Sequence, residues 1–191
     1  MLFGTLLSLL FYTLVPGDAV VIRSTNYREL NDTLIVLADT TAELPYIGRT
    51  NVSEITEENL REFFVETYQR YLKEPDIAVF VLYRVSIIGR VSKPGIYYLP
   101  PYAGLGDVLA ISGGPLPDAA LGSIRIYSAK THQRISFRKG VKDDISIKDL
   151  NITSGTVIEV PRKFVVSLED IYKFAATTGI LWSVYRDVIN R

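Results

Sequence analysis

The sequence predicts an α+β fold: two strand-rich units in series, followed by an amphipathic C-terminal helix. Three observations carry this. Short runs rich in Val, Ile and Tyr recur between Pro, Gly and Asp punctuation, which is the pattern of strands and turns. One strong helical periodicity lies in the first half, over Ser53 to Lys73. A second one occupies the last segment, from Ser167 onward.

The elements follow in order. Met1 to Val15 is uncharged and mostly apolar, too short to span a bilayer at about 20 residues. Residues 1–10 are a candidate leader with the apolar core of an export signal, although no Lys or Arg precedes it and no small-x-small cleavage site follows. The alternative makes Phe11 to Val15 the first strand of the fold. Pro16-Gly17-Asp18 is a tight turn. Ala19 to Arg23, Thr33 to Leu37 and Leu44 to Gly48 read as strands. In the helix over Ser53 to Lys73, Thr56 is the expected cap, and Glu57 and Glu58 suit the positive end of the dipole. Leu60, Phe63, Phe64, Tyr68, Tyr71 and Leu72 share one face, and Pro75 ends the element. Ile77 to Tyr83 is a continuous apolar run, the pattern of a strand buried on both faces.

A second unit begins near Arg84. Val85 to Gly89 and Ile96 to Leu99 are strands around the turn Lys93-Pro94-Gly95. Leu105, Val108, Leu109 and Ile111 form a short helix ended by Gly113-Gly114. Ser123 to Tyr127, Arg134 to Phe137 and Thr156 to Val160 complete the unit. Strand–strand–short helix–strand–strand–strand is compatible with a β-grasp arrangement. The expected organisation is therefore 1–10, 11–83, 84–163 and 164–191.

The final helix is capped by Ser167, with Glu169 and Asp170 in its first turn. Ile171, Phe174, Ala175, Thr178, Leu181, Trp182, Tyr185, Val188 and Ile189 cluster on one broad face. Lys173, Ser183, Arg186, Asp187 and Asn190 lie opposite. The helix would be about 34 Å long, close to the ~30 Å hydrocarbon core of a bilayer. Its uncharged stretch covers only about 18 Å, so a lone copy is a poor span. A ring of copies with apolar faces to lipid and polar faces to a lumen resolves this. The other reading packs the helix on the protein's own core.

Composition excludes several classes. Lys plus Arg equals Asp plus Glu, 21 against 21, and no basic stripe marks a nucleic-acid surface. Cysteine is absent, which removes disulfides, thiol nucleophiles and thiolate metal sites. His132 is the only histidine and sits in an expected hairpin turn, so the common zinc sets cannot be assembled. Neither a phosphate-cradling loop nor a dinucleotide fingerprint occurs. The acid pairs Glu57-Glu58 and Asp143-Asp144 are adjacent in sequence and diverge, unlike a glycosidase dyad. No catalytic residue, cofactor or metal site is expected.

Six segments in series resemble one family. Tyr12-Thr13-Leu14-Val15-Pro16-Gly17-Asp18, with the strand after it, resembles a "Y-x-L-x-P-G-D" opening. Leu44-Pro45-Tyr46-Ile47-Gly48 to Val52 resembles "L-P-x-I-G-x-V", and Ile55 to Leu72 the helix that follows. Glu74-Pro75-Asp76-Ile77 to Val81 is similar to "D-P-x-V-x-V". Ile88-Gly89-Arg90-Val91 to Tyr97 is similar to "G-x-V-x-x-P-G-x-Y", and Leu105 to Gly114 to "L-x-D-x-L-x-x-A-G-G". This is the order of the Wza-type polysaccharide export proteins over about residues 11 to 190.

The resemblance implies a polysaccharide-export α/β domain, one soluble-ligand-binding β-grasp (SLBB) domain and a C-terminal membrane helix. It implies a non-enzymatic subunit of a ring, often octameric in the family, that carries capsular or exopolysaccharide through the outer membrane. An inner-membrane polysaccharide co-polymerase or tyrosine kinase is the implied partner, and the bulk of the chain would lie in the periplasm. Ile171, Phe174, Leu181, Trp182, Tyr185 and Val188 would face lipid. Lys173, Ser183, Arg186, Asp187 and Asn190 would line the pore. Gly89, Arg90, Lys93 and Gly95 would lie near ligand or subunit contacts, against the alternative of plain turn chemistry. Two departures stand out: the lipidated cysteine of many members is missing, and the closing "P-G-D" of the β-grasp unit is Ser154-Gly155-Thr156. The competing function is a periplasmic carbohydrate-binding or scaffolding module docked to an inner-membrane polymerase.

Overall fold

A computed structural model describes residues 12–129 and 132–163. The candidate leader and the C-terminal helix lie outside the described residues. The strands are β1 (Ala19–Arg23), β2 (Asp32–Ile35), β3 (Thr41–Leu44), β4 (Gly48–Asn51), β5 (Ala78–Gly89), β6 (Gly95–Leu99), β7 (Ile124–Tyr127), β8 (His132–Ile135) and β9 (Val157–Val160). The helices are α1 (Leu60–Tyr68), α2 (Leu105–Ile111) and α3 (Phe137–Lys142). The architecture is the mixed α and β arrangement expected of an export domain followed by an SLBB domain.

The two strands expected over Ile77 to Tyr83 and Val85 to Gly89 are one. Strand β5 runs twelve residues without a break. Its first half pairs antiparallel with β1, from Ala78 opposite Arg23 to Leu82 opposite Ala19. Its second half pairs antiparallel with β6 and parallel with β9. Seven strands thus form one sheet in the order β2-β1-β5-β9-β7-β8, with β6 also on β5. Nor is β5 buried on both faces. Val81, Tyr83, Val85 and Ile87 point into the core, while Phe80 is 50% exposed. The alternation is that of a sheet with one packed face. A single hydrophobic cluster runs from Leu14 through Phe64 and Tyr83 to Val160, so both halves share one core.

Helix α1 is shorter than the periodicity suggests. The Thr56 and Asn59 side chains each accept the other's amide, at 3.3 and 2.7 Å, and hold a separate turn ahead of the helix. Leu60, Phe64 and Tyr68 are buried at four-residue spacing, and a fully buried ring such as Phe64 contributes about 2 kcal/mol. The segment Leu44 to Gly48, expected to be a strand, is instead the turn of the β3–β4 hairpin, with Leu44 paired to Gly48. Helix α3 begins at Phe137, the expected last residue of a strand. It docks on α2 through Gly140, where a Cβ would meet Leu105 Cδ2 at 2.9 Å, so any larger residue requires the Leu105 side chain to shift.

Gly89, the last residue of β5, has φ +90°, and a Cβ there would sit 2.2 Å from the Val160 carbonyl oxygen. Gly114 has φ +84° with open space around it. Gly114→Ala should therefore cost only the left-handed penalty of about 1 kcal/mol. Gly89→Ala should cost at least about 3 kcal/mol, because β9 must also move. Urea denaturation of the two variants checks the difference.

Candidate functional site

The four residues singled out by resemblance span the β5–β6 connection, from Gly89 at the end of β5 to Gly95 at the start of β6. Gly89 lets the chain pass beside β9, and the Arg90 amide donates to the Val160 carbonyl at 2.7 Å. The Arg90 guanidinium grips Asp118, with Nε 2.8 Å from Oδ1 and Nη2 2.6 Å from Oδ2. Arg162 approaches the same carboxylate at 3.0 Å. The Arg90 hydrogen bond, helped by both guanidinium charges, holds the Asp118 carboxyl below the usual carboxylate range. Arg90 therefore ties the β5–β6 hairpin to the loop before β7 and to the chain leaving β9.

Lys93 differs from Arg90. Its amide donates to the Ser112 carbonyl at 2.8 Å, and its carbonyl accepts the Tyr97 hydroxyl at 2.5 Å. Its side chain is exposed and makes no ion pair among the described residues. Gly95 opens β6 with ordinary dihedrals. The turn thus brings Gly89, Arg90 and Lys93 together and offers the Lys93 ammonium outward. The lipid-facing and pore-lining candidates of the last helix lie outside the described residues.

A second constellation joins the two halves. Asp18 is fully buried. Its carboxylate accepts the Tyr12 hydroxyl at 2.9 Å, the Val15 amide at 2.8 Å and the Ser154 hydroxyl. Ser154 Oγ in turn accepts the Arg84 amide at 2.8 Å. Burial raises the Asp18 carboxyl above its ordinary value, and the three donors oppose that rise. Burial, with Asp18 beside it, also pushes the Tyr12 phenol far up, so it stays a donor. Lys148 reaches Glu57 across the same boundary at 2.7 Å. Sequence reasoning took Asp18 for a turn residue. Its partner Ser154 is 136 positions away, and no local signal links them.

The export half also carries a concave surface. A hollow of about 450 Å³ is lined by Glu29, Asn31, Asp32, Glu43, Leu44, Pro45, Tyr46 and Gly48. Among the described residues no three His, Asp or Glu side chains group as a metal site. His132 opens β8 and lies edge-on to Tyr127, with ring centroids 5.4 Å apart.

Residues 11–82 match the family model described as polysaccharide biosynthesis/export protein. Residues 84–136 match the SLBB domain model. The two matches meet inside β5. No curated protein matches the chain.

The two aspartates titrate with opposite sign. Asp18, raised by burial, binds its proton more readily folded than unfolded, so its contribution to stability grows as pH falls towards ~3.9, the unfolded value. Asp118, lowered by Arg90, contributes above that value and loses its contribution as pH falls through its folded pKa. Denaturation of Asp18→Asn and Asp118→Asn at pH 7 and pH 3.5 should show the first defect widening in acid and the second shrinking.

Proposed function

This chain belongs to the Wza-type polysaccharide export family, and from that premise we propose that it is one subunit of an oligomeric outer-membrane channel for capsular or exopolysaccharide. Its two domains are of transport and binding types, and polysaccharide is the ligand they point to. The subunit performs no reaction; it supplies wall.

One observation carries the reading. The export and SLBB domains share strand β5 and one core, and the Asp18–Ser154 and Glu57–Lys148 contacts clamp the boundary. Domains joined by a linker usually move against each other. A unit locked in this way keeps its shape when repeated round a ring, and a lumen built from it keeps a constant bore. The exposed Lys93 turn is a candidate contact with the neighbouring copy.

No helix among the described residues is long and apolar enough to cross a membrane. The proposed wall of the pore is therefore residues 164–191. Ile171, Phe174, Leu181, Trp182, Tyr185 and Val188 would face lipid, and Lys173, Ser183, Arg186, Asp187 and Asn190 the lumen. The bulk of each subunit would lie in the periplasm, towards an inner-membrane polysaccharide co-polymerase.

Electron microscopy of the full-length chain in detergent should show closed rings bearing a narrow helical tube. A chain cut after Lys163 should lose the tube and no longer partition with membranes. A monodisperse full-length monomer in plain buffer would overturn the proposal.

A further inference from the structure

We propose that a cleft between the end of α1 and the β3–β4 turn is a saccharide subsite that takes one neutral pyranose unit of a glycan chain. The proposal rests on the polysaccharide reading and gives it a place on the export half. The cleft has a volume of about 360 Å³ and is lined by Glu29, Tyr46, Ile47, Tyr68, Tyr71 and Leu72. That is the small end of the about 300–1,000 Å³ typical of ligand sites, which suits a single ring.

Two aromatic side chains form its walls. Tyr46 is 77% exposed and Tyr71 69%. The hydroxyls of Tyr68 and Tyr27 are engaged by the protein's own backbone, donating to the carbonyls of Pro45 and Lys73 at 3.0 and 2.8 Å. Those of Tyr46 and Tyr71 make no hydrogen bond among the described residues. Tyr46 is also held at φ +64°, a left-handed conformation that glycine or asparagine adopts more readily. An exposed ring recovers little of that cost by burial, so folding alone does not account for tyrosine at this place in the turn. Its face is displayed to solvent beside Tyr71.

The charge of the lining selects the occupant. Glu29 borders the cleft, and the adjoining hollow shares Glu29 and Tyr46 and adds Asp32 and Glu43. Among the described residues, no Lys or Arg lines either one. An anionic sugar is repelled there. A neutral pyranose offers hydroxyl donors to the Glu29 carboxylate, a charge-assisted bond. Its C–H face meets the electron-rich ring faces.

The test is saturation-transfer NMR on the full-length chain in a detergent without a sugar head group. The probes are the methyl glycosides of glucose, galactose, mannose, N-acetylglucosamine and glucuronic acid. At least one neutral glycoside should receive transfer, and the glucuronide less. The double variant Tyr46→Gly/Tyr71→Ala should lose at least about fivefold in signal, as expected for removal of two stacking faces. Tyr46→Phe/Tyr71→Phe should retain most of it. A thermal midpoint no lower than that of the wild type shows that both variants fold. The proposal is overturned if no neutral glycoside responds, if the Gly/Ala variant responds as wild type, or if that variant disassembles the oligomer, which would make the cleft a contact between copies. Intact rings without saccharide response would remove the subsite alone and leave the channel reading standing.

Discussion

The described part of this protein is organised around a strand that belongs to two domains at once. β5 gives its first five residues to β1 and the rest to β6 and β9. Backbone hydrogen bonding cannot be interrupted at low energy inside a packed sheet, so the boundary between domains has no hinge. The side chains agree with the backbone: Val81, Tyr83, Val85 and Ile87 alternate into one core that does not divide at the boundary. Asp18 adds a polar lock. Its carboxylate is removed from water and satisfied by Tyr12, Val15 and Ser154. Losing any one donor leaves a buried acceptor short of a partner, which is costly at a dry position.

In the proposed channel, that rigidity would link fold to function. A conduit for a hydrated polymer needs shape, and shape in a ring comes from identical units that do not flex. The Arg90–Asp118–Arg162 cluster extends the same stiffness to the end of β9, so the chain leaving β9 starts from a fixed point. A membrane segment beginning there would inherit its direction from the sheet. The proposed tyrosine subsite lies on the other half, where weak and exchangeable contacts would suit a polymer in transit.

Much of the fold was legible because local chemistry and tertiary role coincide. The β-branched run Ala19–Arg23 reads as a strand, and Leu60, Phe63, Phe64 and Tyr68 can share a face only on a helix, since a strand would turn Phe63 and Phe64 to opposite sides. The failures come from residues whose role is set far away in the chain. Leu44 to Gly48 is apolar enough to read as a strand, yet the pairing of Leu44 with Gly48 makes it a turn. Helix α3 is six residues long and contains Gly140, so it has neither length nor propensity to show itself; it exists because it packs on Leu105. Of the site, Gly89, Arg90 and Lys93 were visible as turn chemistry, but the capture of Arg90 by Asp118 was not. Asp18 and Ser154 each look like ordinary turn residues, and only folding makes them partners.

The proposed channel requires above all that the two halves form a single mechanical unit. Native-state hydrogen exchange on the full-length chain addresses this through the amides of Val81 and Ile87, one on each side of the boundary in β5. If the sheet is undivided, both should exchange through the same global opening, with equal free energy and equal dependence on denaturant. A Val81 amide released by a separate opening about 2 kcal/mol or more below the global one would mean that the domains unfold independently and that β5 is a hinge.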